Sequence, residues 1–404
     1  MFDLNERKII EKFGLNCIFI DESNKDKKYR ELDYFDHSLF EQNTNVKNTY
    51  LFDIELFKSF DIIPFGFPIL IIDPRFWNNI YIDINQKYNI ESLVISTYMT
   101  ALLKKPTILP TILSSLDFLK YFKSLKQFYL QPQKNILFTD FWDIKDFTSL
   151  EYLSNLEDLS ISNDETVVNI DFAKLKQLKK VNLQYPRENK TLYECTNLES
   201  IDTRYYEKDL TSLSKLQKLN FLSAYCDNLE SFEGIKKLSS LKDFKIETTS
   251  KMKEFKNLQS DTIKTFYLYT EEASKLKSLD GIEGLTSIEN IAFNGYKKLE
   301  SINSLSKCHT LKIITFENCK IPNDIYLLSE LKNLEKVTLD DCKDIQSLKF
   351  VEKLSNLKYL SFDNNTNILD GDLKFLKELN KKGVEIHFND RKHYNIKYKE
   401  IENK

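Results

Sequence analysis

The chain repeats one arrangement of apolar and polar positions. A leucine-like anchor is followed by apolar residues three and five places later, with polar residues between them. The anchors are Leu125, Leu156, Leu178, Leu198, Leu219, Leu241, Ile263, Ile288, Leu311, Leu334 and Leu357, at spacings of 31, 22, 20, 21, 22, 22, 25, 23, 23 and 23. Upstream of an anchor, apolar residues fall at −12, −9, −6 and −3. Leu229–Phe244 (LESFEGIKKLSSLKDF) and Leu276–Ile291 (LKSLDGIEGLTSIENI) show this phase, and Ile345–Leu360 repeats it. The apolar residues after the anchor predict a short strand with one buried side. The three-residue period before it predicts 3₁₀ or irregular turns, in which side chains eclipse every third residue. One such unit cannot bury its own leucines. Stacked units can, and stacking lines their strands into a parallel sheet.

The LxxLxL motif is matched eleven times over about residues 116–390. In this the chain resembles leucine-rich repeat proteins of the short, 22-residue, internalin-like and phosphatase-regulator-like type. The resemblance implies an α/β repeat solenoid, a horseshoe or arc with a parallel β-sheet on its concave face. Residues 1–85 do not repeat and are read as an N-terminal cap, 86–380 as the solenoid, and 381–404 as an edge strand with a charged tail. Ile90, Leu93 and Ile95 suggest an early repeat, and LSSLDFLKYFKSL before Leu125 looks helical. After Leu357 a final helix is expected, stopped at Gly383 and followed by a strand from Val384 to Phe388. Repeats of this family often bond the loop backbone with Asn or Cys at +8. Here Cys319, Cys342 and Asn365 occupy that place in the last three clear units, and earlier units do not keep it.

Composition narrows the function. Only 8 of 404 residues are Gly and 8 are Pro, and no glycine motif cradles a phosphate. Lys plus Arg is 58 against 61 Asp plus Glu, without a basic stripe for nucleic acid. The six cysteines include no CxxC pair, and Cys319 and Cys342, one repeat apart, read as packed thiols. The four histidines, with two in HFNDRKH near the C-terminus, lack the company a metal needs, and that tail reads as solvated. No hydrolase or zincin motif occurs. No cofactor is expected. The N-terminus lacks a signal-peptide core, and the longest apolar run, Ile62 to Ile72, is short of the ~20 residues of a membrane span. These features predict a cytoplasmic, monomeric, non-catalytic protein.

The strand positions +1, +2, +4 and +6 face outward. The +1 column (Lys126, Glu157, Lys179 and on to Glu335, Lys358) mostly alternates in sign and reads as a stabilising ladder. The +4 and +6 columns and their neighbours carry the candidate contacts Tyr129, Arg204, Tyr205, Phe221, Tyr225, Tyr267 and Tyr269. Aromatics and Arg offer large contact area at low entropic cost. Glu317, Asp340 and Asp363 follow at +6 and predict contact with a basic partner surface; the competing reading is a solvated face compensated by Lys336 and Lys358. The favoured function is recognition of a protein by the concave sheet, as an inhibitor, immunity-like binder or scaffold. Alternatives are a regulatory subunit of an enzyme such as a phosphatase, an unrecognised catalytic activity in residues 1–85, and a secreted adhesin.

Overall fold

The computed structural model describes residues 17–20, 69–72, 82, 85–86, 89–96, 113–131, 144–161, 168–183, 190–248, 251–270 and 274–402. The chain forms two compact units, Met1–Leu198 and Glu199–Lys404. Most of the N-terminal region read as a cap lies outside the described residues.

In the first unit, β1 (Cys17–Ile20) runs antiparallel to β2 (Ile69–Ile72). Then β3 (Ser92–Ser96), β4 (Gln127–Gln131), β5 (Asp158–Ile161) and β6 (Lys180–Leu183) add in chain order, all parallel. Phe128 pairs with Leu159 and Leu159 with Val181, so the +3 positions stack in register. The early repeat is present: Ile90, Leu93 and Ile95 are wholly buried beside β4. The stretch before Leu125 is not an α-helix but a 3₁₀ turn, Asp117–Tyr121. Its Leu116, Leu119, Phe122 and Leu125 keep the period of three and are all buried. Amide bonds from Leu119 to the Leu116 carbonyl and from Phe122 to that of Leu119, each 2.9 Å, show why that period wins.

The second unit continues the same plan. The strands β7 (Ser200–Tyr205), β8 (Phe221–Cys226), β9 (Asp243–Thr248), β10 (Thr265–Tyr269), β11 (Asn290–Asn294), β12 (Ile313–Glu317) and β13 (Lys336–Asp340) are parallel neighbours in chain order. The two-residue β14 (Asp344–Ile345) and β16 (Asn367–Ile368) pair apart from them. The main sheet passes on to β15 (Tyr359–Phe362) and β17 (Glu385–Phe388). Phenylalanines at +3 and +5 stack between coils: Phe244 on Phe266 at 5.5 Å, Phe293 on Phe316 at 5.4 Å, Phe362 on Phe388 at 4.9 Å. Gly234 and Gly281, seven residues before their anchors, take φ of +95° and +99° at the entry to 3₁₀ turns, a conformation that a Cβ opposes.

Two recurring sets of polar bonds order the repeats, one within each coil and one between coils. Residues ten before an anchor, among them Ser115, Asp146, Asp209, Ser278 and Ser301, accept from the amide two places on and open each 3₁₀ turn. Asparagines directly before anchors donate to the preceding coil's backbone: Asn155 to the Lys123 carbonyl, Asn333 to that of His309 and Asn356 to that of Lys332, at 3.0, 2.8 and 2.9 Å. At +8, Cys319 Sγ lies 3.5 Å from the Phe293 carbonyl oxygen and Cys342 Sγ 3.3 Å from that of Phe316. Asn365 does not continue this row. It is exposed, and Thr366 turns inward instead, donating to the Leu339 carbonyl at 2.5 Å.

Two stretches depart from expectation. The coil before Ile263 buries Met252, Phe255 and Leu258, a phase one residue out of step with the −9 and −6 positions elsewhere. It forms no 3₁₀ helix, and Ser260 bridges to the next coil by exchanging backbone bonds of 3.0 Å with Gly284 and Thr286. The C-terminal tail is not a solvated strand of charge. After the helix α1 (Leu376–Lys381) and β17, it folds back to bury Tyr394, Ile396 and, in the short α2 (Lys399–Glu402), Ile401. His393 contacts the Ile368 carbonyl at 2.8 Å and the Tyr394 hydroxyl accepts from the Ile368 amide at 2.8 Å. The tail thus covers the leucines of the last coil.

Candidate functional site

The outward +1 column is a charge ladder, as its alternation predicts. Lys126 pairs with Glu91, Lys179 with Glu157 and Lys358 with Glu335. Glu289 serves both Lys264, at 2.9 Å, and Lys312, at 2.7 Å. The two lysines, Lys312 first, hold its carboxyl down at about 2. Stitching neighbouring strands occupies these charges.

The candidate aromatics divide into two groups. Tyr129 is only 3% exposed, and its hydroxyl donates to Asp158 Oδ2 at 2.7 Å. Burial of the pair raises both groups, with the Asp158 charge adding to the rise of Tyr129. Tyr205 is 1% exposed. It stands at +7, where the strand ends and the chain turns into the core, and its hydroxyl meets the Asp209 carbonyl and Ser212 Oγ at 2.5 and 2.7 Å. Both rings are therefore packed in the core and not surface contacts, contrary to the expectation for each.

The remaining aromatics share the open face of β7 to β10. Register places Arg204 beside Tyr225, Tyr225 beside Glu247, and Glu247 beside Tyr269. Two strand positions nearer the N-terminal side, Ser223, Lys245 and Tyr267 form the adjacent row. Arg204 grips Asp227 with two bonds, Nε to Oδ2 at 2.6 Å and Nη2 to Oδ1 at 2.8 Å. Its guanidinium also lies 4.6 Å from the centre of the Tyr225 ring and 5.9 Å from that of Tyr206. Such a bidentate, stacked arginine is held in one geometry. Lys245 Nζ stands between two rings, 5.5 Å from Phe221 and 5.8 Å from Tyr267. Among the described residues the exposed large apolar side chains are Tyr121, Tyr152, Tyr267, Tyr326 and Leu369, and of these only Tyr267, 38% exposed, stands on a strand. Phe221, Tyr225 and Tyr269 are half-buried around it.

Lys245, Tyr206 and Asp227 complete this cluster without having been singled out as contacts. Their signal was positional: they fall at +4 and +8 of the same units that supply the aromatics. The acidic row is less free than its sequence suggests. Asp340 Oδ1 accepts from Ser361 Oγ at 2.8 Å and from the Asp363 amide at 3.0 Å. Glu317 is exposed and accepts from Asn294 at 2.9 Å, and Asp363 is half-buried. The lysines expected to compensate them are engaged elsewhere, Lys336 over the Tyr359 ring at 4.3 Å and Lys358 with Glu335. Internal donors, not those lysines, lower the repulsion along the row. Cys195, Cys226, Cys308, Cys319 and Cys342 are free and buried, and burial pushes the Cys319 thiol up to about 12. The described residues hold no cluster of three or more metal-binding side chains, and no helix among them is long and apolar enough to cross a membrane.

Residues 262–383 match the family model described as the BspA type leucine rich repeat region, in six copies. These are leucine-rich repeats. The leucine-rich repeat pattern thus accounts for the strand rows and the triplet turns, and the fold is a leucine-rich repeat solenoid. Comparison with curated proteins gives no match. Similar solved structures include an internalin (inlF) from Listeria monocytogenes, 15% identical over 93% of this chain and 92% of that one, with a TM-score of 0.43. A leucine-rich repeat protein of Leptospira interrogans, LIC12759, is 14% identical over 79% of this chain and 88% of its own, also with a TM-score of 0.43. Identity this low leaves function to be argued from the chain's own residues.

Proposed function

We propose that this leucine-rich repeat protein acts without catalysis, as a monomer in a reducing compartment such as the cytoplasm, by recognising a protein partner on the open face of β7 to β10. The observation that carries the reading is the aromatic and cationic array of Phe221, Lys245 and Tyr267 beside Arg204 and Tyr225. Parallel pairing spaces these residues at about 4.8 Å per strand, and the Asp227 clamp and ring stacking hold Arg204 in place before any partner arrives. A surface ordered in advance loses little free energy to ordering on binding. Free, buried thiols support the choice of compartment. Inhibition, immunity-like binding and scaffolding all use such a surface.

The test is affinity capture from native lysate with wild type, with the double variant Phe221→Ala/Tyr267→Ala, and with Tyr121→Ala/Tyr152→Ala on the 3₁₀ turns of the other unit. The sheet-face variant should lose its partner about tenfold or more, the range of an interface hot spot, while the turn-side variant keeps it. Equal capture by all three would place the contact elsewhere.

A further inference from the structure

On the open face of β7 to β10 the charged side chains are not equivalent. Arg204 is committed to Asp227 through both ends of its guanidinium. Lys264, in the +1 column, is paired with Glu289. Lys245 is different. It is exposed, it projects from the central β9, and no described carboxylate forms an ion pair with it. Its charged end lies instead between the rings of Phe221 on β8 and Tyr267 on β10.

Two flanking rings have two effects on an ammonium group. Their faces attract it, which orders a side chain that is otherwise mobile. They also displace water from its sides, so an anion approaching from the front meets a partly desolvated cation at a lower effective dielectric. The same rings offer apolar area to whatever carries that anion. The acidic side chains on the face border this slot, Asp243 being the cross-strand partner of Phe221. Asp243 and Glu247 flank Lys245 on its own strand, each two residues away, and Asp202 sits two strands over in the same row. None of these forms an ion pair with Lys245, and their like charge leaves the ammonium as the group on this part of the face that attracts a further carboxylate.

We propose that Lys245 with Phe221 and Tyr267 forms an anion slot, and that the partner is a protein segment presenting an Asp or Glu side chain next to an apolar or aromatic one. This rests on the reading of the β7 to β10 face as the docking surface and gives that partner its chemistry. The carboxylate accepts from the ammonium while the neighbouring side chain packs on the exposed Tyr267 ring. The charge contact thereby moves from the Glu317, Asp340 and Asp363 row, where a basic partner was expected, to a cation that asks for an acidic one.

The experiment uses the full chain and an immobilised array of 12-residue peptides. Each carries a central Glu-Phe, Gln-Phe or Lys-Phe pair in the same randomised flanks. Wild type should prefer the Glu-Phe set over the Gln-Phe set by about two- to fivefold, the effect of one solvent-exposed ion pair. The preference should shrink between 50 mM and 500 mM salt as screening shortens. Lys245→Gln, a surface change with its melting temperature checked against wild type, should bring the Glu-Phe and Gln-Phe sets to parity. Preference for Lys-Phe, or equal binding of all sets by wild type including binding of none, overturns the anion slot. So does a Glu-Phe preference that survives Lys245→Gln. If the sets bind alike but Phe221→Ala/Tyr267→Ala abolishes binding, the slot fails while the docking face stands. If that double variant binds as wild type does, both fail.

Discussion

Tyr129 offers the sharpest separation of a packed tyrosine from a contact tyrosine. Changing it to Phe keeps the ring and removes one hydroxyl. That hydroxyl is 2.7 Å from Asp158 Oδ2, the length of a charge-assisted bond. A hydrogen bond to a charged group contributes about 1.5–3 kcal/mol. Asp158 is half-buried, so water replaces part of the lost bond, and a net loss of about 1–2 kcal/mol is expected. The loss depends on pH. Burial already raises the Asp158 carboxyl above its ordinary 3.8, and the Tyr129 hydroxyl and then Lys180 pull it back. A carboxyl raised in the folded state lowers stability as pH climbs from 3.8 through the folded value. Without the hydroxyl the folded value rises further, so the variant loses more over the same climb. The gap between wild type and Tyr129→Phe should therefore be full at pH 7 and close as pH falls towards 3.8. Urea unfolding at a series of pH values, followed by near-ultraviolet circular dichroism, measures it. A gap that is absent at pH 7, or that persists unchanged at acid pH, would refute the Asp158 argument. Peptide binding on the β7 to β10 face should be unaffected throughout.

The other tests concern the lattice of repeats. Glu289→Gln should lower stability by about 0.5–1 kcal/mol after solvent screening. Because Lys312 and Lys264 depress the Glu289 carboxyl to about 2, wild type holds this contribution above pH 4.5 and loses it as pH falls towards 2; a loss indifferent to 1 M salt would speak against the ion pairs. Gly281→Ala and Gly383→Ala both force a side chain to positive φ, +99° and +91°. Only at Gly281 would the new Cβ meet a backbone atom, the Phe255 carbonyl oxygen at 2.7 Å, whereas nothing lies within 4 Å at Gly383. Each should cost about 1–2 kcal/mol for the backbone conformation, and Gly281→Ala more on top; equal melting temperatures for the two variants would contradict this.

The repeat was legible because it is written in spacing. Leu219, Leu222 and Ala224, or Leu357, Leu360 and Phe362, must fall on one side of a strand whatever surrounds them, and all are buried. Residue identity alone was less informative. Tyr129 and Tyr267 hold the same +4 position, and only their neighbours differ, Asp158 for one and Lys245 for the other. Tyr205 was misjudged although the alternation, carried to +7, already turns it inward with Ile201 and Thr203. Two sets of polar bonds went unread although their letters recur: the Asn before Leu in Asn155, Asn333 and Asn356, and the Ser or Asp ten places before an anchor. Hydrophobic periodicity does not record polar residues that bond to backbone. The C-terminal cover escaped for a related reason. Tyr394, Ile396 and Ile401 follow no repeat phase, since a terminal coil has a neighbour on one side only.

The coil before Ile263 is a dislocation in an otherwise periodic stack. Its neighbours are tied by 3₁₀ turns, Ile235–Lys237 on one side and Ile282–Gly284 on the other, and it has none of its own. It also forms the connection from β9 to β10, the strands that carry Lys245 and Tyr267. Local opening of a protein begins where backbone bonds are fewest. Opening of this coil alone would leave the slot's spacing fixed, because Lys245 and Tyr267 are direct partners in the β9 to β10 ladder. The dislocation is absorbed in the turn, while Thr265 to Tyr269 keep their register with Asp243 to Glu247.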